Sequence, residues 1–223
     1  MAILLYCLTL ADGPSLSIAA GAVGREVRPM ELRSLRLYLE EITDSDFSLA
    51  GTDSLRKATS QFNQVLRQIS AESTPMAFPF PTVVESRETA ERLIADRESS
   101  YHSALLRLAG NVQYEIVATW EEGQQADTAA PVRGAEYLRR HQLDMNRVAG
   151  LDAKLRSVTA DSVREWRKRQ ERKSHRWFAL VARDQQDRFL SALRNAGPSE
   201  GVRLRLSGPW PPSEFFDFAD GSG

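Results

Sequence analysis

The chain closes with a strand-like segment that runs into a cluster of prolines, and this feature constrains the fold more than any other. Residues 202–206 alternate apolar and basic side chains. This period of two predicts a half-buried strand. Three prolines then surround one tryptophan directly after Gly208: Pro209, Trp210, Pro211 and Pro212. Because proline fixes φ and lacks a backbone N–H donor, we expect the strand to stop at this cluster.

Trp210 has little backbone freedom in this frame, and two interpretations of it stay open. The segment either packs down as a structural plug or presents the tryptophan to a partner. Phe215 and Phe216 follow closely and are able to complete an aromatic cluster. We therefore favour the plug, and we expect Trp210 to be largely buried.

The rest of the chain alternates predicted strands with predicted helices. Apolar runs and period-two patterns predict strands at residues 3–10, 35–40, 75–84, 112–120, 176–183 and 202–206. Helical periodicity predicts helices at residues 55–69, 86–110, 132–172 with a break near Gly150, and 184–195. In the second strand, Arg36, Tyr38 and Glu40 alternate with leucines, which predicts one solvent-facing side. The prolines at residues 79 and 81 favour an edge position for the third strand.

Several stretches resemble one family and follow its order along the chain. The tail from Leu206 to Pro212, with Phe215 and Phe216 after it, resembles the C-terminal signature of the GvpF/GvpL gas vesicle accessory proteins. Weaker matches lie at residues 4–7, 105–117 and 134–140. The family's central proline/phenylalanine strand is matched by Phe78, Phe80, Pro81 and Thr82.

The resemblance implies an α+β fold of two small domains that are ferredoxin-like in character. We expect an N-terminal domain at residues 1–85 and a C-terminal domain at residues 86–223, which includes the connecting helix and the proline-rich tail. It also implies a gas vesicle assembly or minor structural protein. Such a protein binds the small hydrophobic shell protein and sibling accessory proteins during vesicle formation. The alternatives are an interaction module of the same family in a cell without gas vesicles, and an unrecognised enzyme.

Composition favours a cytoplasmic protein without a general affinity for nucleic acid or membranes. With 29 basic and 30 acidic residues the net charge is −1, which gives no general attraction to nucleic acid or to an anionic membrane. The single cysteine, Cys7, lies in an apolar strand and has no internal disulfide partner. No apolar run reaches the roughly 18 residues that a membrane span needs. We predict a cytoplasmic protein, located at the gas vesicle if the resemblance holds.

The chain offers no recognisable catalytic motif. It contains no GxxxxGK[ST], GxGxxG, HExxH or GxSxG string. The histidines, at positions 102, 141 and 175, fall in separate predicted elements without metal-ligand spacing. Glu121 and Glu122 enter a polar loop, where a solvated turn is favoured over an acid pair. We predict no enzyme activity, no cofactor, no metal and no small-molecule substrate.

A basic run at residues 164–176 carries seven basic side chains and two acidic ones. The helical prediction places Glu165 and Arg169 four residues apart as an ion pair, with Trp166 facing the core. A solvated helix face is favoured, and a protein contact through Arg167, Lys168 and Arg172 comes second. Nucleic-acid binding is the third alternative.

Overall fold

The computed structural model describes residues 2–43, 46, 52–120, 134–170, 174–196 and 202–216. These residues form an α+β protein with two four-stranded antiparallel sheets, each accompanied by helices. The chain divides into two units: one holds residues 1–112 and 210–223, and the other holds residues 113–209. The prediction of a two-domain α+β arrangement is confirmed. Along the chain, the second unit begins after residue 112, and the tail from Trp210 onward belongs to the first unit.

The first unit contains four strands and three helices. Its elements in chain order are β1 (Ala2–Leu10), β2 (Val27–Leu32), β3 (Leu35–Ile42), α1 (Thr52–Glu72), β4 (Met76–Val84), α2 (Arg87–Ala95) and α3 (Glu98–Leu108). The strand order is β2-β3-β1-β4, so β2 and β4 form the edges. Both edge strands contain proline, which an edge position tolerates because the missing N–H need not reach a neighbouring strand.

The core of the first unit forms where the apolar stripe of α1 meets the sheet. Tyr6 of β1 stacks on Phe62 of α1, with ring centroids 4.6 Å apart. The two helices that follow β4 along the chain also contact this sheet: α2 contacts β4, and α3 contacts β1. Ser34, beside β3, also donates to Glu98 of α3 with an oxygen–oxygen distance of 2.8 Å. These contacts explain why α2 and α3 stay with the first sheet.

The predicted helix at 86–110 is two helices. Ser86 caps the first one, as its position suggests, and its hydroxyl accepts from the backbone N–H of Thr89 at 3.1 Å. The chain leaves helical geometry at Arg97, whose φ and ψ are −127° and 13°. Gly110 follows the second helix with φ at 72°, a left-handed conformation that glycine adopts without strain.

The second unit follows the order βαββαβ: β5 (Asn111–Trp120), α4 (Gly134–Val158), β6 (Val163–Gln170), β7 (His175–Ala182), α5 (Gln186–Asn195, after a 3-10 turn at Arg183–Gln185) and β8 (Val202–Trp210). Its strands lie in the order β6-β7-β5-β8. This element order is that of the ferredoxin-like motif. In the first unit, residues 11–26 without a helix stand where the motif has its first helix.

The helix predicted at residues 132–172 ends earlier than expected, so the basic run after it is not helical. Helix α4 passes through Gly150 without a break and ends at Val158. Thr159 then turns the chain: its hydroxyl donates to the carbonyl of Leu155 at 2.7 Å, and its own carbonyl accepts from the Ser162 hydroxyl at 3.1 Å. Residues 163–170 emerge as strand β6, paired antiparallel with β7.

The supposedly solvent-facing side of β3 is also buried. Arg36, Tyr38 and Glu40 are 5%, 0% and 0% exposed. Residues 11–26 cover them and are held by them: the guanidinium of Arg36 donates to the carbonyls of Ala11, Gly13 and Pro14 at 2.7 to 2.9 Å. Polar side chains are tolerated here because the covering segment satisfies their hydrogen bonds.

Candidate protein-binding surfaces

The proline/phenylalanine strand β4 lies at an edge of the first sheet, as predicted. Its pairing with β1 is interrupted: Ile3 to Leu5 align with Val84 to Thr82, and pairing resumes only between Cys7 and Ala77. Residues 78–81 therefore bulge away from the ladder. The Phe80–Pro81 peptide bond within the bulge is cis.

A ring contact and a hydrogen bond stabilise this bulge. The ring of Phe80 lies 5.0 Å from that of Phe62 on α1, measured between centroids. The hydroxyl of Thr82 donates to the carbonyl of Pro79 at 2.6 Å. Phe78 and Phe80 are each only partly buried, and Val83 is 42% exposed. The bulged edge thus presents apolar surface together with backbone groups that β1 does not pair.

The tail forms a plug through its prolines and phenylalanines more than through its tryptophan. Pro211, Pro212 and Phe216 are buried, and Phe215 is completely so. Arg107 of α3 donates to the carbonyl of Phe215. These contacts fix the tail to the first unit.

Most of Trp210 is buried, as predicted, although it stays more accessible than Phe215. The guanidinium carbon of Arg67, on the exposed side of α1, lies 4.7 Å from the ring centroid. This geometry is a cation–π contact. The tryptophan therefore covers the surface of α1 and keeps part of its ring accessible.

The strand also continues further than the prolines suggested. Strand β8 runs to Trp210 through a cis Gly208–Pro209 bond. Pro209 is exposed on an edge strand, where its missing donor breaks no ladder. Gly208 has φ at 131°, and a Cβ there would lie 2.8 Å from the carbonyl oxygen of Gln113. Glycine is required at this position by conformation and by space.

The basic run is a strand at the sheet edge and not a helix. The expected pair of Glu165 with Arg169 is absent, because residues four apart in a strand do not meet. Instead Arg167 donates to Glu165 at 3.0 Å, two residues along the same face. The ammonium of Lys168 lies 5.4 Å from the ring centroid of Trp177 on β7. Arg172 lies outside the described residues.

Trp166 also differs from its predicted role as a helix anchor. It is half-buried, and its ring centroid lies 5.9 Å from the guanidinium carbon of Arg156 on α4. On the same helix, Asp152 accepts from the indole N–H of Trp177 at 2.6 Å. Burial alone would raise the pKa of Asp152, yet this bond and the neighbouring Arg156 guanidinium hold it below its ordinary value. These contacts bind α4 to the strand pair.

The three histidines, for which no catalytic or metal-binding role was predicted, lie on separate elements. His102 lies on α3, His141 on α4 and His175 at the start of β7. No cluster of three or more metal-binding side chains occurs within the described ranges. Glu121 and Glu122 lie outside those ranges. None of the helices the structure describes has both the length and the hydropathy to cross a membrane.

A buried carboxylate that the sequence did not reveal organises the loop before β2. Glu40 accepts from the Tyr6 hydroxyl at 2.6 Å and from the backbone N–H of Arg25 at 2.8 Å. The same Tyr6 hydroxyl accepts from the N–H of Ala22 at 2.6 Å. Burial, helped by the Glu40 carboxylate, raises the pKa of Tyr6. The signal that could have revealed Glu40 was its strand preceded by a long connection, residues 11–26, with three glycines, one proline and several apolar residues.

Comparison with known proteins agrees with this architecture. The model of the family described as gas vesicle synthesis protein GvpL/GvpF matches residues 2–217. The chain belongs to the GvpL/GvpF family. Gas vesicle protein L of Streptomyces sp. (strain CB03234) is 27% identical over 196 residues, which cover 77% of this chain and 73% of that protein.

Two crystal structures of gas vesicle protein GvpF share the fold along nearly the whole chain. The protein from Anabaena sp. PCC7120 superposes with a TM-score of 0.71 at 14% identity, covering 98% of this chain and 99% of its own. The protein from Microcystis aeruginosa gives the same TM-score at 15% identity, covering 97% of this chain and 99% of its own. A role in gas vesicle formation follows from the family.

Proposed function

We propose that this chain is a gas vesicle assembly or minor structural protein that binds the small hydrophobic shell protein and sibling accessory proteins. The observation that carries the proposal is the family match over residues 2–217. The mechanism is binding and not chemistry: a soluble partner shields apolar surface of the shell subunit until it is incorporated. Burial of such surface gains about 25 cal/mol per Å².

The bulged edge strand β4 is the first proposed contact surface. An edge strand carries backbone donors and acceptors that a partner strand is able to pair with. Here the ladder to β1 is interrupted at residues 78–81, and partly exposed Phe78, Phe80 and Val83 lie beside the interruption. Apolar side chains next to backbone that β1 does not pair suit an aggregation-prone partner.

The basic edge strand β6 is the second proposed surface. Arg164, Lys168 and Arg169 are exposed along it. Cations on an edge strand oppose strand addition, because their side chains must stay hydrated. We therefore assign this edge to charge steering of an acidic partner surface, which raises the rate of association more than the final affinity.

Co-expression with the shell protein of the same organism tests the first surface. The wild-type chain should keep the shell protein in the soluble fraction. Val83→Lys places a charge at the β4 edge and should return most of the shell protein to the pellet. Leu93→Lys is the matched control, since Leu93 on α2 is 44% exposed and Val83 is 42% exposed. If both variants solubilise the shell protein as well as wild type, β4 is not the contact.

A charge-reversal pair tests the second surface. Lys168→Glu combined with Arg169→Glu should slow association with accessory proteins, and the difference should shrink as salt rises. Arg203→Glu combined with Arg205→Glu on β8 changes the net charge equally and should leave the rate closer to wild type. Equal slowing by the two pairs would show that only net charge matters. That result would remove β6 as a specific surface.

A further inference from the structure

A groove with a volume of about 330 Å³ opens in the second unit between its helices and strand β8. Its lining is mainly aliphatic and comes from β5, α4, α5 and β8: Ile116, Leu151, Leu155, Leu193, Leu204 and Leu206. Such volume and lining fall within the range of ligand sites, which begins at about 300 Å³. The groove was not apparent in the sequence because its walls come from four distant segments.

The groove leaves apolar surface in contact with water. Leu204 and Leu206 are 37% and 40% exposed, although they face the helix side of the sheet and would be buried in a closed core. Strand β8 lies at the edge of the sheet, so none of the described strands continues the apolar floor beyond it. Two exposed leucines on the wall of a concave site favour a bound aliphatic group.

The charge on the lining specifies the other end of such a ligand. Arg194 of α5 and Lys154 of α4 belong to the lining, and none of the described residues that line the groove is acidic. A guanidinium such as that of Arg194 binds a carboxylate through two parallel N–H···O bonds. An apolar groove with an exposed guanidinium on its wall therefore favours an anionic amphiphile over a neutral or cationic one.

We propose that this groove binds a single medium-chain aliphatic carboxylate, with its chain along the leucines and its carboxylate at Arg194. One chain suits a groove of this volume, whereas a diacyl lipid exceeds it. The inference goes beyond the proposed role in vesicle assembly and does not depend on it.

Titration calorimetry with octanoate, decanoate and dodecanoate, each below its micelle concentration, tests the site on the full chain. Each pair of added methylenes should tighten binding about tenfold, since one buried CH₂ contributes about 0.8 kcal/mol. Decanoate should bind at least tenfold more tightly than decanol or decyltrimethylammonium. Stoichiometry should be one per chain.

Paired variants locate the site. Leu206→Asp should abolish binding, and Leu93→Asp in the first unit, at similar exposure, should not. Arg194→Glu should weaken decanoate at least tenfold and leave decanol unchanged, whereas Arg205→Glu should alter neither. If Leu206→Asp does not fold, judged by circular dichroism, Leu204→Asp takes its place.

Three outcomes would overturn the proposal. One is the absence of saturable binding by any of the carboxylates. Another is equal affinity for the anionic, neutral and cationic decyl compounds, which would indicate nonspecific apolar adsorption. The third is decanoate binding of unchanged affinity in the leucine-to-aspartate variant and in Arg194→Glu, which would place the ligand elsewhere.

Discussion

Replacement of Gly21 by alanine should destabilise the protein, and the whole cost should vanish when Glu40 is also replaced. A Cβ at Gly21 would lie 2.5 Å from the carboxyl carbon of Glu40 and 2.7 Å from its Oε1 atom. Real Cβ atoms do not approach so closely, so the carboxylate must move. Overpacking of this kind costs about 1–3 kcal/mol. The position has no left-handed φ, so the added methyl acts only through this contact.

The carboxylate cannot move without losing hydrogen bonds. Glu40 accepts from the Tyr6 hydroxyl and from the backbone N–H groups of Val23 and Arg25. Glu40→Ala removes the carboxylate that accepts all three bonds, and each buried donor left without a partner costs about 1–3 kcal/mol. Glu40→Ala removes the three atoms that lie nearest to a Cβ at position 21. The double variant should be as stable as Glu40→Ala alone.

A double-mutant cycle in urea measures this coupling. The destabilisation of the double variant should fall short of the sum of the singles by about 1–3 kcal/mol. Hydrogen exchange gives an independent reading, because the amides of Val23 and Arg25 should lose protection in Glu40→Ala. Additive costs would refute the reasoning, since the methyl would then be destabilising through something other than Glu40.

Three further outcomes follow from the described contacts. Phe215→Ala should cost about 3–5 kcal/mol, as expected for a fully buried aromatic. Trp210→Ala should cost less because part of that residue stays accessible, and equal shifts in thermal melts would contradict this ranking. Gly208→Ala should lower stability by about 1–3 kcal/mol through its left-handed φ and its lack of space, and an unchanged melting temperature would count against the close approach. The pKa of Asp152 is lower in the folded protein than in the unfolded chain, so the stability that its carboxylate contributes is present above the unfolded pKa of about 4 and is lost as pH falls through the folded pKa. Asp152→Asn should therefore destabilise the protein more at pH 7 than at pH 3. A loss of stability that is the same at both pH values would exclude the pairing with Arg156.

The sequence predicted best those elements whose pattern is set by one buried face. Strand β1, helix α1 and the edge position of β4 all follow from local apolar spacing or from proline. The cap at Ser86 and the left-handed Gly110 follow from local backbone chemistry. In each case the signal lies within a few residues.

The errors arose where distant segments decide the structure. Residues 163–170 carry so many charges that spacing alone does not separate a helix from an edge strand, and the turn at Thr159 was the only local sign. The polar side of β3 appeared exposed because its cover, residues 11–26, is distant from it in sequence.

The central claim is that this chain binds the gas vesicle shell protein. Co-purification tests it most directly: the untagged shell protein is co-expressed with an affinity-tagged chain, captured at moderate salt, and analysed by size-exclusion chromatography. The proposal predicts a soluble complex in which both proteins elute together, with the yield reduced by Val83→Lys and not by Leu93→Lys. Elution of the chain alone, with the shell protein left aggregated in the pellet, would contradict the claim.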